Sequence, residues 1–271
     1  MMEKVYGTLN VYDALQERLK YIFDEFDNIY VSFSGGKDSG LLLNLVMKYM
    51  REHNITRRIG LMHQDFEAQY TATTEYVTRM FNRYADGMDA YWICLPMGSK
   101  TSLSNYELYW YPWDDDKRDI WVREMPQNKW VVNLQNNPFD FYKHKMLQED
   151  LYRQFSRWYR DKNGGGKTVS LIGMRCDESL HRYNAVINKK YAYKGKNWIS
   201  QTYKNVWTAS PLYDWTVEDV WTATGKFGFD YNHLYDLMYK AGLSISQMRV
   251  ASPFNEWATQ ALNIYRVIEP E

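Results

Sequence analysis

Cysteine is nearly missing from this chain: Cys94 and Cys176 are the two among 271 residues. They stand far apart in no metal-ligand spacing, which excludes a disulfide framework or an iron–sulfur cluster built within the chain. Net charge is missing too, with 33 basic side chains against 33 acidic ones. There is therefore no global pull toward nucleic acid or an anionic membrane, although local basic patches remain open. No apolar run is long enough to span a bilayer, and the N-terminal residues lack the apolar core of a signal peptide. A soluble, cytoplasmic protein with no membrane partner is expected. Internal repeats and low-complexity tracts are absent as well. What the chain has in excess is aromatic rings, 17% of residues, suited to stacking surfaces or to an aromatic-rich core and interface. Apolar residues make up 45%, enough for a sizeable core in one large α/β domain or one domain plus an appendage.

The chain is organised around residues 29–42. The β-rich run Ile29-Tyr30-Val31-Ser32-Phe33 ends in Ser34-Gly35-Gly36-Lys37-Asp38-Ser39, and an apolar helical pattern (Leu41, Leu42, Leu45, Val46, Tyr49) follows at once. A loop between a strand end and a helix N-terminus is an anion site. Gly35 and Gly36 let the backbone approach a phosphate, and the first helical N–H groups point at it. Ser34 and Ser39 add hydroxyl donors and Lys37 adds positive charge. Asp38 is the odd member, because a carboxylate beside phosphates repels them unless it caps the helix or faces a metal, here magnesium. The spacing is not that of a Walker A loop.

Along the chain, 3–4 spacing predicts a helix over Val11–Phe26 and another over Tyr70–Tyr84. Short apolar strands are expected at 28–33, 59–63, 90–95 and 168–172, with a fifth near Val206–Thr208. Ligands of an open parallel sheet bind outside the carboxyl ends of the strands. Asp65 and Glu67, after the second strand, therefore share the rim with the glycine loop; they read as contacts to ribose, amine or magnesium, or as caps of the next helix. His63 and Cys94 read as buried structural residues. From Gly98 to Pro138 the periodicity breaks down, with Tyr106, Trp110, Trp113, Trp121 and Trp130 interleaved with the acidic run Asp114-Asp115-Asp116. Such a segment is a lid, a binding insertion or a partner surface. The acidic run reads as a solvated turn before a metal site, and base stacking on nucleic acid has no motif behind it. A long helix is expected over Phe139–Asp161, stopped by Asn163 and three glycines.

The fourth strand ends in Gly173-Met174-Arg175-Cys176-Asp177-Glu178-Ser179-Leu180-His181-Arg182. If the helix already includes Arg175, two turns bring Arg175 and Arg182 to one face, where paired guanidiniums grip phosphate or sulfate oxygens. Glu178 caps the helix or orients Arg175. Arg175 beside Cys176 would lower its thiol pKa, although a nucleophilic role is the lesser reading. Thr216 with Asp219 reads as a capping-box variant. The basic stretch Lys189–Lys196 reads as a flexible loop, solvated or holding a 3′-phosphate or nucleic acid.

The loop resembles the Ser-Gly-Gly-x-Asp-Ser element of the PP-loop superfamily, the N-type ATP pyrophosphatases and the PAPS reductases. Three later elements resemble PAPS reductases in the same order: the Gly173–Arg182 segment, Ser210-Pro211-Leu212-Tyr213-Asp214-Trp215-Thr216-Val217-Glu218-Asp219-Val220-Trp221, and Tyr231-Asn232-His233-Leu234-Tyr235-Asp236 with Ala241-Gly242-Leu243-Ser244-Ile245. The resemblance spans about residues 28–250. It implies an open five-stranded parallel sheet of order 3-2-1-4-5 flanked by helices. One domain would fill 1–271, with an aromatic-rich insertion at about 98–165 and a helical C-terminal part at about 216–271. It also implies an adenine nucleotide (ATP, APS or PAPS) with magnesium and no iron–sulfur cluster. Lys37, Asp38 and Arg175 would be catalytic. Ser32, Ser34, Gly35, Gly36, Lys37, Asp38, Ser39, Asp65, Glu67, Gly173, Arg175, Glu178 and Arg182 would line the nucleotide, with Asp38 toward the metal. The family's C-terminal catalytic cysteine has no counterpart, since no cysteine follows Cys176, and Ser244-Ile245-Ser246-Gln247 stands where the family reads Ser-Ile-Gly-Cys. The stretch Glu67–Tyr70 and the insertion resemble a phage- and plasmid-borne branch that includes immunoglobulin-binding regulator A, whose members often sit beside a ParB-like partner. The expected chemistry is pyrophosphate release with adenylyl transfer at the α-phosphate. The alternatives are a reductase with an unusual or external thiol, and a non-catalytic nucleotide sensor.

Overall fold

Short apolar runs separated by amphipathic helices make strands that are buried on both faces, the pattern of a parallel sheet. The computed structural model describes residues 7–187, 192–245, 247–255 and 258–270. In chain order the elements are α1 (Val11–Glu25), β1 (Asn28–Ser32), α2 (Lys37–Glu52), β2 (Gly60–Gln64), α3 (Thr71–Tyr84), β3 (Asp89–Ile93), β4 (Ser99–Lys100), β5 (Tyr109–Trp110), β6 (Val131–Val132), α4 (Gln148–Lys162), β7 (Thr168–Leu171), α5 (Leu180–Ile187), β8 (Ala192–Tyr193), β9 (Lys196–Tyr203), β10 (Val206–Ala209), α6 (Val217–Phe227), α7 (Leu234–Lys240) and α8 (Ala258–Ile268).

The expected parallel core is there as β3-β2-β1-β7-β10, and the sheet goes on to eight strands in the order β6-β3-β2-β1-β7-β10-β9-β8. β6 adds a parallel edge beside β3, and β9 and β8 add antiparallel strands beyond β10. The antiparallel extension follows from a two-residue turn, Lys204-Asn205, with Asn205 in the left-handed region at φ 60°. It corrects one expectation: Ala192-Tyr193 pair with the strand that starts at Lys196, a hairpin turning at Lys194-Gly195, while residues 188–191 of the basic stretch lie outside the described residues.

Alternation along the strands sends residues to two faces. Val31, Leu61 and Trp92 pack with α1, α2 and α3, through Leu15, Leu45, Val77 and Phe81. Tyr30, Met62 and Tyr91 face the other way, onto Leu151, Phe155 and Tyr159 of α4. α4 starts at Gln148, nine residues later than the periodicity predicts. Lys145 sits at φ 58°, which no helix accommodates, so Phe139–Lys145 form turns whose Phe139 still plugs the same core. The insertion is a β4–β5 hairpin, a 3-10 turn and β6. Its Trp113 is buried, and Trp121 and Trp130 pack against the main core, so these rings serve packing. A third apolar cluster (Tyr70, Leu234, Tyr235, Met238, Met248) holds the C-terminal part, with Ile264, Tyr265 and Ile268 of α8 against it. No helix among the described residues is long and apolar enough to cross a membrane.

Candidate functional site

β1 lies between β2 and β7, and the strand order reverses at the β1–β7 pair. A crevice opens at the carboxyl ends of two such strands. Residues 33–39 enter it from β1 and residues 172–182 from β7. Gly35, at φ 80°, turns the chain sharply, and a Cβ there would press on Val77 and Thr73 of α3 at 3.0 and 3.1 Å. The Ser34 hydroxyl lies 2.9 Å from that of Ser39, whose Oγ also donates to the Gly36 carbonyl at 3.2 Å. Gly36 is the N-cap of α2 and offers no side-chain cap. The N-cap itself therefore supplies no acceptor to the first-turn N–H groups, where the positive end of the helix dipole lies. Ser32 is the last residue of β1, just below the loop.

Charge converges on Asp38. Lys37 Nζ lies 3.0 Å from Asp38 Oδ2, and Arg175 Nε donates to Asp38 Oδ1 at 2.6 Å. The Arg175 side chain is only 3% exposed. Its approach is allowed by Gly173: a Cβ there would lie 2.6 Å from the Ser39 backbone nitrogen and 2.7 Å from the Asp38 carbonyl carbon. The expected helical pairing of Arg175 with Arg182 is corrected. Arg175 is extended (φ −122°, ψ 141°) and α5 begins only at Leu180. The two are joined through Glu178, which accepts the Arg175 backbone N–H at 3.4 Å and Arg182 Nη1 at 2.7 Å. Arg182, 40% exposed, stands at the rim. Each Asp38 oxygen is thus taken by one cation in this arrangement. The cluster presents two cations, screened by one carboxylate, beside a helix N-terminus whose N-cap is a glycine.

Asp65 and Glu67 are drawn elsewhere. Asp65 is fully buried; Arg123 Nη2 reaches its Oδ1 at 2.5 Å and Trp92 Nε1 its Oδ2 at 2.7 Å. Glu67 sits at φ 60°, and its carboxylate accepts the backbone N–H of Trp113 at 2.6 Å and of Val122 at 2.9 Å. Burial pushes its carboxyl pKa up, against the pull of those two N–H groups. Both carboxylates are thus spent on the insertion rather than offered to a ligand or used to cap α3, which has Tyr70 as N-cap and no side-chain cap. His63 is buried, with Nδ1 at 2.8 Å from the Phe33 carbonyl; burial lowers its pKa and keeps it neutral. Cys94 is fully buried with its thiol pKa pushed up by desolvation. Cys176 is also corrected: burial raises its pKa, and Asp214 and Asp177 add to the rise, because the neighbouring guanidinium is turned to Asp38. In the acidic run, Lys145 Nζ pairs with Asp114 and Asp116 at 3.0 Å each.

Two supporting residues lie outside the expected set. Tyr235 accepts the Lys37 backbone N–H on its hydroxyl at 3.1 Å, and its ring centroid is 5.4 Å from Lys37 Nζ. Asn232, fully buried, donates to the Gly35 carbonyl at 2.9 Å and to Thr73 Oγ1 at 2.9 Å. Both belong to the Tyr231–Asp236 stretch. Its composition, polar groups among rings, was a signal, but nothing local says that it folds back onto a loop 200 residues earlier.

A phosphoadenosine phosphosulfate reductase domain model matches residues 28–106 and 117–241, and a domain of unknown function, DUF3440, matches residues 242–271. An uncharacterized Escherichia coli (strain K12) protein, YbdN, is 35% identical over 267 residues, which is 97% of this chain and 63% of the relative. The chain thus spans under two thirds of that protein's length. Among solved structures, a phosphoadenylyl-sulfate (PAPS) reductase from Candida auris in a phosphate complex aligns at TM-score 0.46 and 15% identity, over 93% of this chain and 98% of that one. A Candida glabrata FMN adenylyltransferase with FMN and an ATP analogue aligns at TM-score 0.48 and 13% identity, over 86% and 63%. With more than half of its residues matched by one family model, the chain belongs to the phosphoadenosine phosphosulfate reductase domain family.

Proposed function

We propose that the crevice binds an adenine nucleotide (ATP, APS or PAPS) by its phosphates and that chemistry falls at the α-phosphate. The observation that carries this reading is the pairing of a glycine-capped α2 N-terminus with Lys37 and Arg175 on one carboxylate. Positive groups preset in a partly buried site stabilise charge as it develops on phosphate oxygens. With ATP, an acceptor nucleophile takes the adenylyl group as the bond from the α-phosphorus to the bridging oxygen breaks. Pyrophosphate leaves into the loop. Lys37 would move from Asp38 to the leaving oxygens, while Arg175, the more buried of the two, keeps Asp38 in place. Magnesium would arrive on the nucleotide's own phosphates.

The reductase reading draws support from the matched family model. Against it stands the chemistry of Cys176, half-buried with its pKa raised between Asp177 and Asp214, which disfavours the thiolate that must attack the sulfur. A sensor that binds without turnover uses the same crevice.

Calorimetric titration with ATP, APS and PAPS in magnesium buffer, followed by assay of the same mixtures for pyrophosphate, AMP and sulfite, separates the readings. Pyrophosphate release supports the transfer reading, sulfite release lost in Cys176→Ala supports the reductase, and binding without product supports the sensor. Lys37→Ala is expected to weaken nucleotide binding roughly tenfold to a hundredfold, the worth of one charge-assisted contact. Unchanged affinity would sink the site.

A further inference from the structure

Tyr235 also lines an open pocket of about 530 Å³ between α6, α7, Ile245 and Met248. Cavities of roughly 300–1,000 Å³ hold small organic ligands. Five rings stand in its wall: Trp221, Phe229, Tyr231, Tyr235 and Tyr239. Trp221 stands edge-on to Tyr231 at 5.4 Å and to Tyr235 at 5.3 Å between centroids. Among the described lining residues there is no Lys, Arg or His, and Asp236 is the charged one. The Asp236 carboxylate accepts the Tyr231 hydroxyl at 3.0 Å and faces His233 Nδ1 at 3.0 Å.

We propose that this cavity is a binding site for a small organic cation, an alkylated or primary ammonium group on a compact carbon frame. The faces of Trp and Tyr rings carry negative potential and attract ammonium groups. The Tyr235 ring already receives one ammonium, that of Lys37. A carboxylate with no cation in the described wall repels phosphate, so the cavity selects against the anionic ligand of the neighbouring loop. The two sites share Tyr235, whose ring lines the cavity and whose hydroxyl holds the Lys37 N–H. The arrangement suits a second ligand held next to the first. The cation site stands whether or not the loop takes a nucleotide.

The glycines of the wall provide a clean test. Gly225, inside α6, lines the cavity, and a Cβ built on it meets nothing within 4 Å. The first carbon of a side chain at Gly225 thus meets open space, so Gly225→Leu is placed to occupy the pocket, and it raises the helix propensity of α6. Choline is titrated into the nucleotide-free protein, with tryptophan fluorescence and the Trp221 indole N–H resonance as readouts. Its neutral isostere, 3,3-dimethylbutan-1-ol, is titrated in parallel. The expected result is saturable choline binding at least tenfold tighter than the alcohol, lost in Gly225→Leu while the thermal midpoint of that variant stays at or above wild type. Equal affinity for the two probes, no saturation in the wild-type protein, or binding unchanged in Gly225→Leu would each overturn the proposal. ATP titrated separately reports on the loop, so a failure there is told apart from a failure here.

Discussion

At Gly173 the chain can carry nothing larger than hydrogen. A methyl group there would lie well inside the contact distance of the Asp38–Ser39 backbone, and a helix start cannot yield as a flexible side chain does. Gly173→Ala is expected to cost about 1–3 kcal/mol in denaturant unfolding, the usual range for overpacking, and to move Arg175 off Asp38. A stability within 0.5 kcal/mol of wild type, on the order of an ordinary surface change, would show that the two loops are not in firm contact. The side chains of the first loop were legible because glycine, serine and lysine after an apolar strand have one common physical use. The second loop was legible in residue type only. Whether Arg175 points to solvent or to Asp38 depends on an extended backbone at 175 and on how close β7 brings it to α2, and neither is a local property.

At the scale of elements, the insertion hangs on Asp65 and Glu67. Arg123 reaches both: Nη2 bonds the Asp65 carboxylate and Nε donates to the Glu67 carbonyl at 2.8 Å. Arg123→Ala leaves a buried carboxylate without its cation. A loss of about 3–5 kcal/mol is expected by urea or thermal unfolding, since breaking a buried pair exposes the full cost of the charge left behind. A loss under about 1 kcal/mol, the worth of a surface pair, would contradict it. Asp65 and Glu67 looked like ligand groups because strand ends of this kind usually face the crevice. The aromatic insertion, 50 residues on, supplies the N–H donors that take them instead.

Helix α1 is tied to the far sheet edge by a different charge cluster. Glu25 accepts from Lys167 Nζ at 2.5 Å, from the Tyr193 hydroxyl at 2.6 Å and from Lys194 Nζ at 2.8 Å. These donors, Lys167 first, lower its pKa from 4.5 to about 2. A carboxyl with a folded-state pKa below the unfolded value binds its proton more weakly when folded. Its stabilisation is therefore whole above pH 4.5 and is lost as the pH falls toward about 2. Wild type and Glu25→Gln should differ in melting temperature at pH 6 and converge across that window. A constant difference down to pH 2 would show that Glu25 is not held by these donors.

The molecule as a whole is drawn together by its C-terminal part, residues 242–271, the segment matched by the domain of unknown function. Tyr265 of α8 stacks on Tyr70 with centroids 3.6 Å apart, and Glu269 Oε1 accepts the Thr71 N–H at 2.6 Å, closing the N-terminus of α3. Phe254 packs on Trp110 of the insertion, and Arg249 Nη2 donates to the Glu178 carbonyl at 3.2 Å. One segment thus spans α3, which abuts Gly35, the insertion, and the loop after β7. Tyr265→Ala is expected to cost on the order of 2 kcal/mol, toward the low end for a large ring only part-buried. Hydrogen exchange should show the first-turn amides of α3 losing protection ahead of the sheet. Uniform loss of protection throughout the chain would mean that the segment is part of the global core rather than a strap.

The sequence by itself determined the short apolar strands of the core and the glycine loop after the first of them, because hydrophobic period, glycine placement and helix starts act over a few residues; the order of the sheet was legible only through the family resemblance. The same local reasoning carried the capping box of α6, where Thr216 Oγ1 accepts the Asp219 N–H at 3.1 Å. Only the tertiary structure decided which charges serve the crevice. Whether Asp65, Glu67 and Asp38 meet ligand, protein or solvent depends on groups 27 to 137 residues away, and those distant partners set the direction in which each carboxylate points. The support of Lys37 and Gly35 by Tyr235 and Asn232 is of the same kind, since no local signal tells a chain which distant loop will close over it.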